Sequence, residues 1–194
     1  LLAVPMAVIA VWIWVDSPGG AFYRQERVTA YGKRFMICKF RTMREGADKK
    51  GMRITLEHDK RITKPGEFLR KYRLDELPQL FNVLEGSMTF VGTRPEVSEY
   101  VRAYTKEMRA TLLLPAGITS EASIRYRGEA ELLGRNPGED ADRIYREQVL
   151  PDKMRYNLES LRKFGIGNDL RTMVRTAAAV AMFAFQEGKE FRQR

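Results

Sequence analysis

Leu74-Asp75-Glu76-Leu77-Pro78-Gln79-Leu80 opens a stretch that runs on through Phe81-Asn82-Val83-Leu84-Glu85 to Gly86. Pro78 has no N–H, so inside a helix it belongs to the first turn, where that donor would be unpaired anyway. This places Asp75 at or near an N-cap and Glu76 in the first turn. Leu77, Leu80, Phe81 and Leu84 then recur at i, i+3, i+4 and i+7, a helical core stripe closed by Gly86. Backbone N–H groups and the dipole at a helix start favour anions, a carboxylate or a phosphate alike. An ionised carboxylate beside a phosphate needs a cation to offset repulsion, and a divalent metal such as Mg²⁺ supplies one. The plainer alternative is that Asp75 caps the helix and Glu76 complements its dipole.

Working outward, Ala21 to Gln25 and Phe35 to Phe40 are short aromatic-rich runs around the turn-like Tyr31-Gly32-Lys33, and read as a β-hairpin. Residues 44–66 read as a polar surface loop containing the single histidine, His58, which has no second His or Cys for a zinc site. Glu67 to Arg73 is a short basic helix. Met88 to Val91 is extended, and Pro95 suits the first position of a helix whose apolar face is Val97, Tyr100, Val101, Tyr104 and Met108. Residues 115–128 read as irregular or strand-like, and 137–160 as a helix after an acidic loop. Leu170 to Phe185 is a final helix, basic at its start and apolar beyond, the profile of a helix lying on a membrane surface.

Leu1 to Val15 carries no charge. Fifteen helical residues cover roughly 22 Å, less than the ~30 Å of bilayer hydrocarbon, so this piece enters a membrane without crossing it. It is read as truncated at its N-terminal side. A secretory h-region, the tail of a spanning helix and a buried core helix are the competing readings. A bent helix that dips in at Pro5 and returns to the same face is a fourth. The turn cluster Asp16-Ser17-Pro18-Gly19-Gly20 ends the segment.

With 34 basic and 25 acidic residues the 194-residue chain carries +9, which suits phosphorylated substrates or an anionic membrane surface. Its cations are interleaved with carboxylates, without the basic stripe or aromatic platform of a nucleic-acid binder, so no nucleic-acid partner is expected. One cysteine, Cys38, excludes an intrachain disulfide and reads as a small buried apolar residue. Several cations gather in short motifs. Lys39 and Arg41 flank Phe40 on one strand face; Arg94 precedes the helix expected at Pro95; Arg125 and Arg127 alternate in an extended run. Each alone reads as a solvated charge, and together they supply what a diphosphate requires.

The order of DSPG at 16–19, YRQERV at 23–28, KFRTM at 39–43, RITK at 61–64, DELPQLFNVLEG at 75–86, FVGTRPE at 90–96 and AGIT at 116–119 resembles the bacterial sugar transferases. More closely, it is similar to the catalytic domain of the monotopic polyprenyl-phosphate phosphoglycosyl transferases. The resemblance implies a re-entrant N-terminal membrane helix kinked at a proline, matched by Pro5. It implies that Asp75 is the nucleophile, that Glu76 is a ligand of catalytic Mg²⁺, and that Arg94 and Arg127 hold phosphate while Lys39 and Arg41 help build the site. The implied partners are a UDP-sugar donor, a polyprenyl phosphate acceptor and membrane lipid, with a homo-oligomer left open. The implied place is the cytoplasmic face of a bacterial inner membrane. The chain departs from the family at Thr93, where the usual motif is Pro-Arg-Pro, at Ser120-Glu121 after Gly-Ile-Thr, and in the acidic stretch 129–142.

The expectation is therefore an α+β, helix-rich monotopic domain with one β-hairpin: residues 1–18 as the re-entrant helix, 19–194 as the catalytic domain ending in an interfacial helix. The rival is a non-catalytic module that uses its basic residues on anionic lipid, in which the carboxylates at 75 and 76 are dispensable.

Overall fold

The uncharged segment forms helix α1 (Ala3–Asp16) in a computed structural model that describes residues 2–47, 59–134 and 141–192, without the side chains of 130, 131, 134 and 183–192. Pro5 falls in the first turn of α1, where its missing N–H leaves no gap, and the helix runs unbroken to Asp16. A bend at Pro5 is thus not seen. Within α1 only Ile13 is buried, against Phe40 and Leu69, while Val4, Val8, Trp14 and Val15 lie exposed. That excludes the core-helix reading. Among the described residues no helix is long and apolar enough to cross a membrane.

The hairpin is present as strands β1 (Phe22–Val28) and β2 (Arg34–Phe40), antiparallel with Phe22 opposite Phe40. A tight turn at Ala30–Gly32 joins them, with Tyr31 at φ 57° and Gly32 at φ 72°. Helix α2 (Lys64–Lys71) starts three residues ahead of the expected Glu67. The Thr63 hydroxyl accepts from the Gly66 N–H at 3.1 Å, and Pro65 suits the first turn. A Cβ on Gly66 would stand 2.1 Å from the Thr42 carbonyl oxygen, so glycine alone lets α2 meet the end of β2 this closely. Residues 48–58 of the loop expected at 44–66, His58 included, lie outside the described residues, and its last three residues belong to α2.

Of the core stripe expected at Leu77, Leu80, Phe81 and Leu84, Leu77 packs against the Ile13, Phe40 and Leu69 core, but the part that lies on the helix is overturned. Helix α3 (Gln79–Leu84) buries Gln79 and Asn82 instead, and leaves Phe81 48% and Leu84 85% exposed. The cause is the edge of β2. Cys38 donates its N–H to Asn82 Oδ1 at 2.9 Å, and Asn82 Nδ2 donates to the Met36 carbonyl at 3.0 Å. Unpaired edge groups that are buried must find partners, and one amide satisfies two of them. Cys38 is buried as expected, which pushes its thiol pKa up.

Strands β3 (Met88–Val91) and β4 (Ala116–Thr119) pair in parallel. Helix α4 (Ser98–Arg102) begins three residues beyond Pro95, so Pro95 does not open it and Arg94 sits at no helix start. The run expected to be extended near 124–127 contains helix α5 (Glu121–Arg125), capped by the Ser120 hydroxyl, so Arg125 and Arg127 do not alternate across a strand. Beyond it come α6 (Glu129–Gly134), then α7 (Ala141–Ile144), a wide π turn and α8 (Leu150–Arg162), and finally α9 (Ile166–Arg192). The larger core joins Tyr100 and Tyr104 to Ile144, Tyr145, Val149 and Met154, with Val97, Val101 and Met108 packed on it as expected. Buried polar groups join this core to Glu96, whose backbone carbonyl accepts from the Val28 N–H of the hairpin at 3.0 Å. Tyr145 donates to Glu96 at 2.5 Å, and Lys153 lies 2.9 Å from Glu129 and 3.7 Å from Glu96. The architecture is α+β: among the described residues, helices surround two separate two-stranded sheets.

Candidate active site

Arg73 adopts a left-handed backbone (φ 58°), which ends the α2 segment and swings the chain into a single 3₁₀ turn, Leu74–Glu76. Asp75 is inside that turn rather than at an N-cap, and its side chain makes no capping bond. Pro78, not Asp75, takes the position before α3. The capping alternative therefore falls: the carboxylates point away from the helix start and into the protein.

Both are buried, each 8% exposed, yet their surroundings differ. Arg94 grips Glu76 with both guanidinium nitrogens, Nη2 at 2.5 Å from Oε1 and Nη1 at 3.1 Å from Oε2. Lys39 Nζ is 3.4 Å and Arg73 Nη1 3.5 Å from the same carboxylate. Burial alone would raise the Glu76 pKa, but these cations outweigh it and hold the group well below the usual carboxylate range. Burial pushes Lys39 down to about 8 despite Glu76. Asp75 is the opposite case. Burial, then the charge of Glu76, raises its pKa against the pull of Lys39, Arg70 and Arg73, and its Oδ1 is buried without a hydrogen-bond partner. One carboxylate is neutralised by clamps, and its neighbour is left under-satisfied among cations.

The other expected residues divide. Arg94 and Lys39 meet at Glu76. Arg41 does not reach it: its guanidinium donates to the carbonyls of Gly20, Pro18 and Ser17 at 2.6 to 2.8 Å and so fixes the turn after α1. Arg127 shares a cavity with Glu76 and Arg94 and donates to the Ala179 carbonyl of α9. Arg125 stands apart, paired with Glu121 at 3.1 Å and stacked over Tyr156. Sequence reasoning missed Arg73 and Arg70. Both lie in the basic run just ahead of Asp75, a signal that was legible.

Three cavities meet near this turn. One of 560 Å³ is reached by Asp75 and lined by Gln25, Lys39, Arg44, Arg61 and Arg70. One of 340 Å³ is reached by Glu76 and walled mainly by apolar side chains of α3, β3, β4, α5 and α9. A polar one of 330 Å³ shares Gln25 and Arg27 with the first and Arg73, Arg94 and Arg127 with the second. Cationic and bordered by these cavities, the site can hold a polyphosphate against a buried carboxylate.

The profile described as bacterial sugar transferase matches residues 1–183. A UDP-glucose:undecaprenyl-phosphate glucose-1-phosphate transferase of Xanthomonas campestris pv. campestris is 36% identical over 181 residues, 90% of this chain and 34% of that protein. A UDP-N-acetylgalactosamine-undecaprenyl-phosphate N-acetylgalactosaminephosphotransferase of Aeromonas hydrophila is 40% identical over 103 residues, 53% of this chain and 24% of the other. An undecaprenyl-phosphate galactose phosphotransferase of Salmonella typhimurium is 31% identical over 196 residues, 93% and 37% respectively. The chain thus spans about a third of the length of the Xanthomonas relative.

Proposed function

The chain belongs to the bacterial sugar transferase family, and we propose that it transfers a sugar-1-phosphate from a UDP-sugar to undecaprenyl phosphate, releasing UMP, as the first membrane step of a polysaccharide or glycoconjugate. The observation that carries this reading is Asp75: a buried carboxylate with an unpartnered oxygen, beside a second carboxylate already clamped by Arg94. Asp75 attacks the phosphorus that bears the sugar, the bond to UMP breaks, and an aspartyl phosphosugar forms. An oxygen of undecaprenyl phosphate then attacks that phosphorus, the bond to Asp75 breaks, and the carboxylate is regenerated. Lys39, Arg73 and Arg94 oppose the charge shared by entering and leaving oxygens, preorganised and largely shielded from water. Arg41 positions the turn that closes the hairpin side, and Arg127 completes the cationic rim.

The residues fit a divalent cation in a limited way. No cluster of three or more His, Cys, Asp or Glu capable of holding a metal occurs among the described residues. The orphaned Oδ1 of Asp75 is a ready ligand, whereas Glu76 can serve only by releasing part of its hold on Arg94. Mg²⁺ commonly binds one or two carboxylates together with substrate phosphates, and that donor set is what this turn and a diphosphate would make. There Mg²⁺ would neutralise charge on the transferring phosphoryl group.

The test is UMP release from a panel of UDP-sugars with undecaprenyl phosphate, with and without EDTA. Acceptor-dependent UMP release that EDTA abolishes and Mg²⁺ restores is expected; full activity in EDTA removes the metal. The three relatives are named for glucose, N-acetylgalactosamine and galactose, so the panel must include all three.

The membrane reading rests on the exposed apolar surfaces of α1 and α9. We place the catalytic turn at the cytoplasmic face of the inner membrane, with the N-terminal segment dipping in and returning by that face. An impermeant thiol reagent, applied to cysteines placed at either end of α1, should label both from the cytoplasmic side. Labelling of the upstream end from the other side would establish a span instead.

A further inference from the structure

The 340 Å³ cavity on the Glu76 side is walled mainly by apolar side chains, with its charges gathered in Arg73, Glu76, Arg94 and Arg127. Leu77 just ahead of α3, Leu80 within it, Phe90 of β3, Ile118 of β4, Ile124 of α5 and Val180 of α9 line it. Helix α3 reaches this arrangement by inversion, burying Gln79 and Asn82 in the protein and turning Leu80 toward the cavity. Leaving such side chains facing an open cavity forfeits the burial they would gain in a core, so an apolar occupant is the physical complement. Chain and headgroup are provided for separately. Arg73, Arg94 and Arg127 line this cavity and also the polar cavity that includes Gln25 and Arg27.

We propose that this groove holds the leading isoprene units of the polyprenyl phosphate acceptor, with its phosphate at Arg73, Arg94 and Arg127, an assignment that rests on the phosphotransfer reading above. The lining favours an amphiphile with one anionic end over a sugar nucleotide, whose uridine, ribose and sugar need hydrogen-bond partners: the hydroxyls of Thr119, Thr176 and Ser123 in these walls are already paired within the protein. The donor is left to the polar cavities, one of which Asp75 lines. In a double displacement the entering oxygen takes the place of the departing one, so the acceptor phosphate must reach the site that UMP vacates. The arginines shared between the apolar and polar cavities provide that junction. At 340 Å³ the groove accommodates the start of the chain only. The remainder leaves beside α9, which exposes Leu170, Val174 and Met182.

Two measurements on the full chain in lipid nanodiscs test this. Ile124→Trp and Val180→Trp narrow the groove. Each should raise KM for undecaprenyl phosphate by on the order of tenfold or more, with the donor KM little changed. An unchanged acceptor KM in the folded variants overturns the assignment. The second measurement uses the native sequence, so it does not depend on a variant folding. A prenyl phosphate carrying a diazirine on its second isoprene unit should crosslink to peptides containing Leu80, Ile124 or Val180, and unlabelled undecaprenyl phosphate should compete it away. Crosslinks confined to α1, or competition by phosphatidylglycerol alone, overturn it in favour of a general lipid surface. If no UDP-sugar yields a donor-only protein adduct or acceptor-dependent UMP release, the phosphotransfer reading fails. The crosslink then still reports, on its own, whether the groove takes a prenyl chain.

Discussion

Asp75→Asn is expected to abolish the covalent phosphosugar adduct and to lower turnover by at least about 10³-fold. The amide keeps the size of the carboxyl but cannot attack phosphorus. Intact-protein mass spectrometry after incubation with donor and no acceptor should show one phosphosugar on the native chain and none on the variant. An adduct that persists in Asp75→Asn would move the nucleophile elsewhere. The fold should not suffer. Burial and the charge of Glu76 raise the Asp75 pKa, so ionising Asp75 costs more in the folded chain than in the unfolded one. A carboxyl raised in this way loses the fold stability as pH climbs from its unfolded pKa to its folded one, and the ionised group remains a burden above both. A neutral isostere removes that burden, so Asp75→Asn should unfold at the same temperature as the native chain or higher. Loss of activity with unchanged or increased stability is the signature of a residue kept for chemistry at some cost to the fold.

Arg94→Ala should do the reverse, damaging the fold as well as the reaction. The bidentate contact at 2.5 and 3.1 Å is what compensates the buried Glu76 carboxylate. Removing one partner of a buried pair costs about 3–5 kcal/mol, and Lys39 and Arg73 nearby should keep the loss near about 3 kcal/mol. For a chain of this length that is a fall of about 6–12 °C in the unfolding midpoint. Arg94→Lys should recover only part of it, because lysine lacks the planar fork. The double variant Arg94→Ala/Glu76→Gln should be more stable than Arg94→Ala alone, since it no longer strands a charge; that coupling isolates the clamp from general damage. An Arg94→Ala protein with the native unfolding midpoint would leave Arg94 a role with phosphate only.

Much of the fold was open to direct reading, and the places that misled share one cause. The hairpin was legible because Tyr31 and Gly32 mark a turn between two aromatic-rich runs, and strand alternation is a local property. The apolar face from Val97 to Met108 was legible for the same reason, although the helix itself is shorter than its periodicity implied. The stripe on α3 misled because periodicity says which residues share a face and not which face turns inward. The free edge of β2 made that choice by taking the Asn82 amide, forty-four residues away from Cys38 in the chain.

What the sequence determined by itself was a set of residue types in order: an uncharged segment, an Asp-Glu pair ahead of a proline, and basic motifs enough for a diphosphate. That order, through resemblance, identified the family. Only the tertiary structure decided the division of labour within the pair. Glu76 draws Lys39 and Arg94 from positions 37 and 18 residues away in the chain, and Asp75, one residue before it, keeps a buried oxygen free. Arg41 was equally basic and equally close in sequence, yet it went to three backbone carbonyls. Such choices are made by burial. A charge removed from water must be met by whatever partner the packed chain brings within about 3 Å, and adjacency in sequence does not reveal which partner that will be.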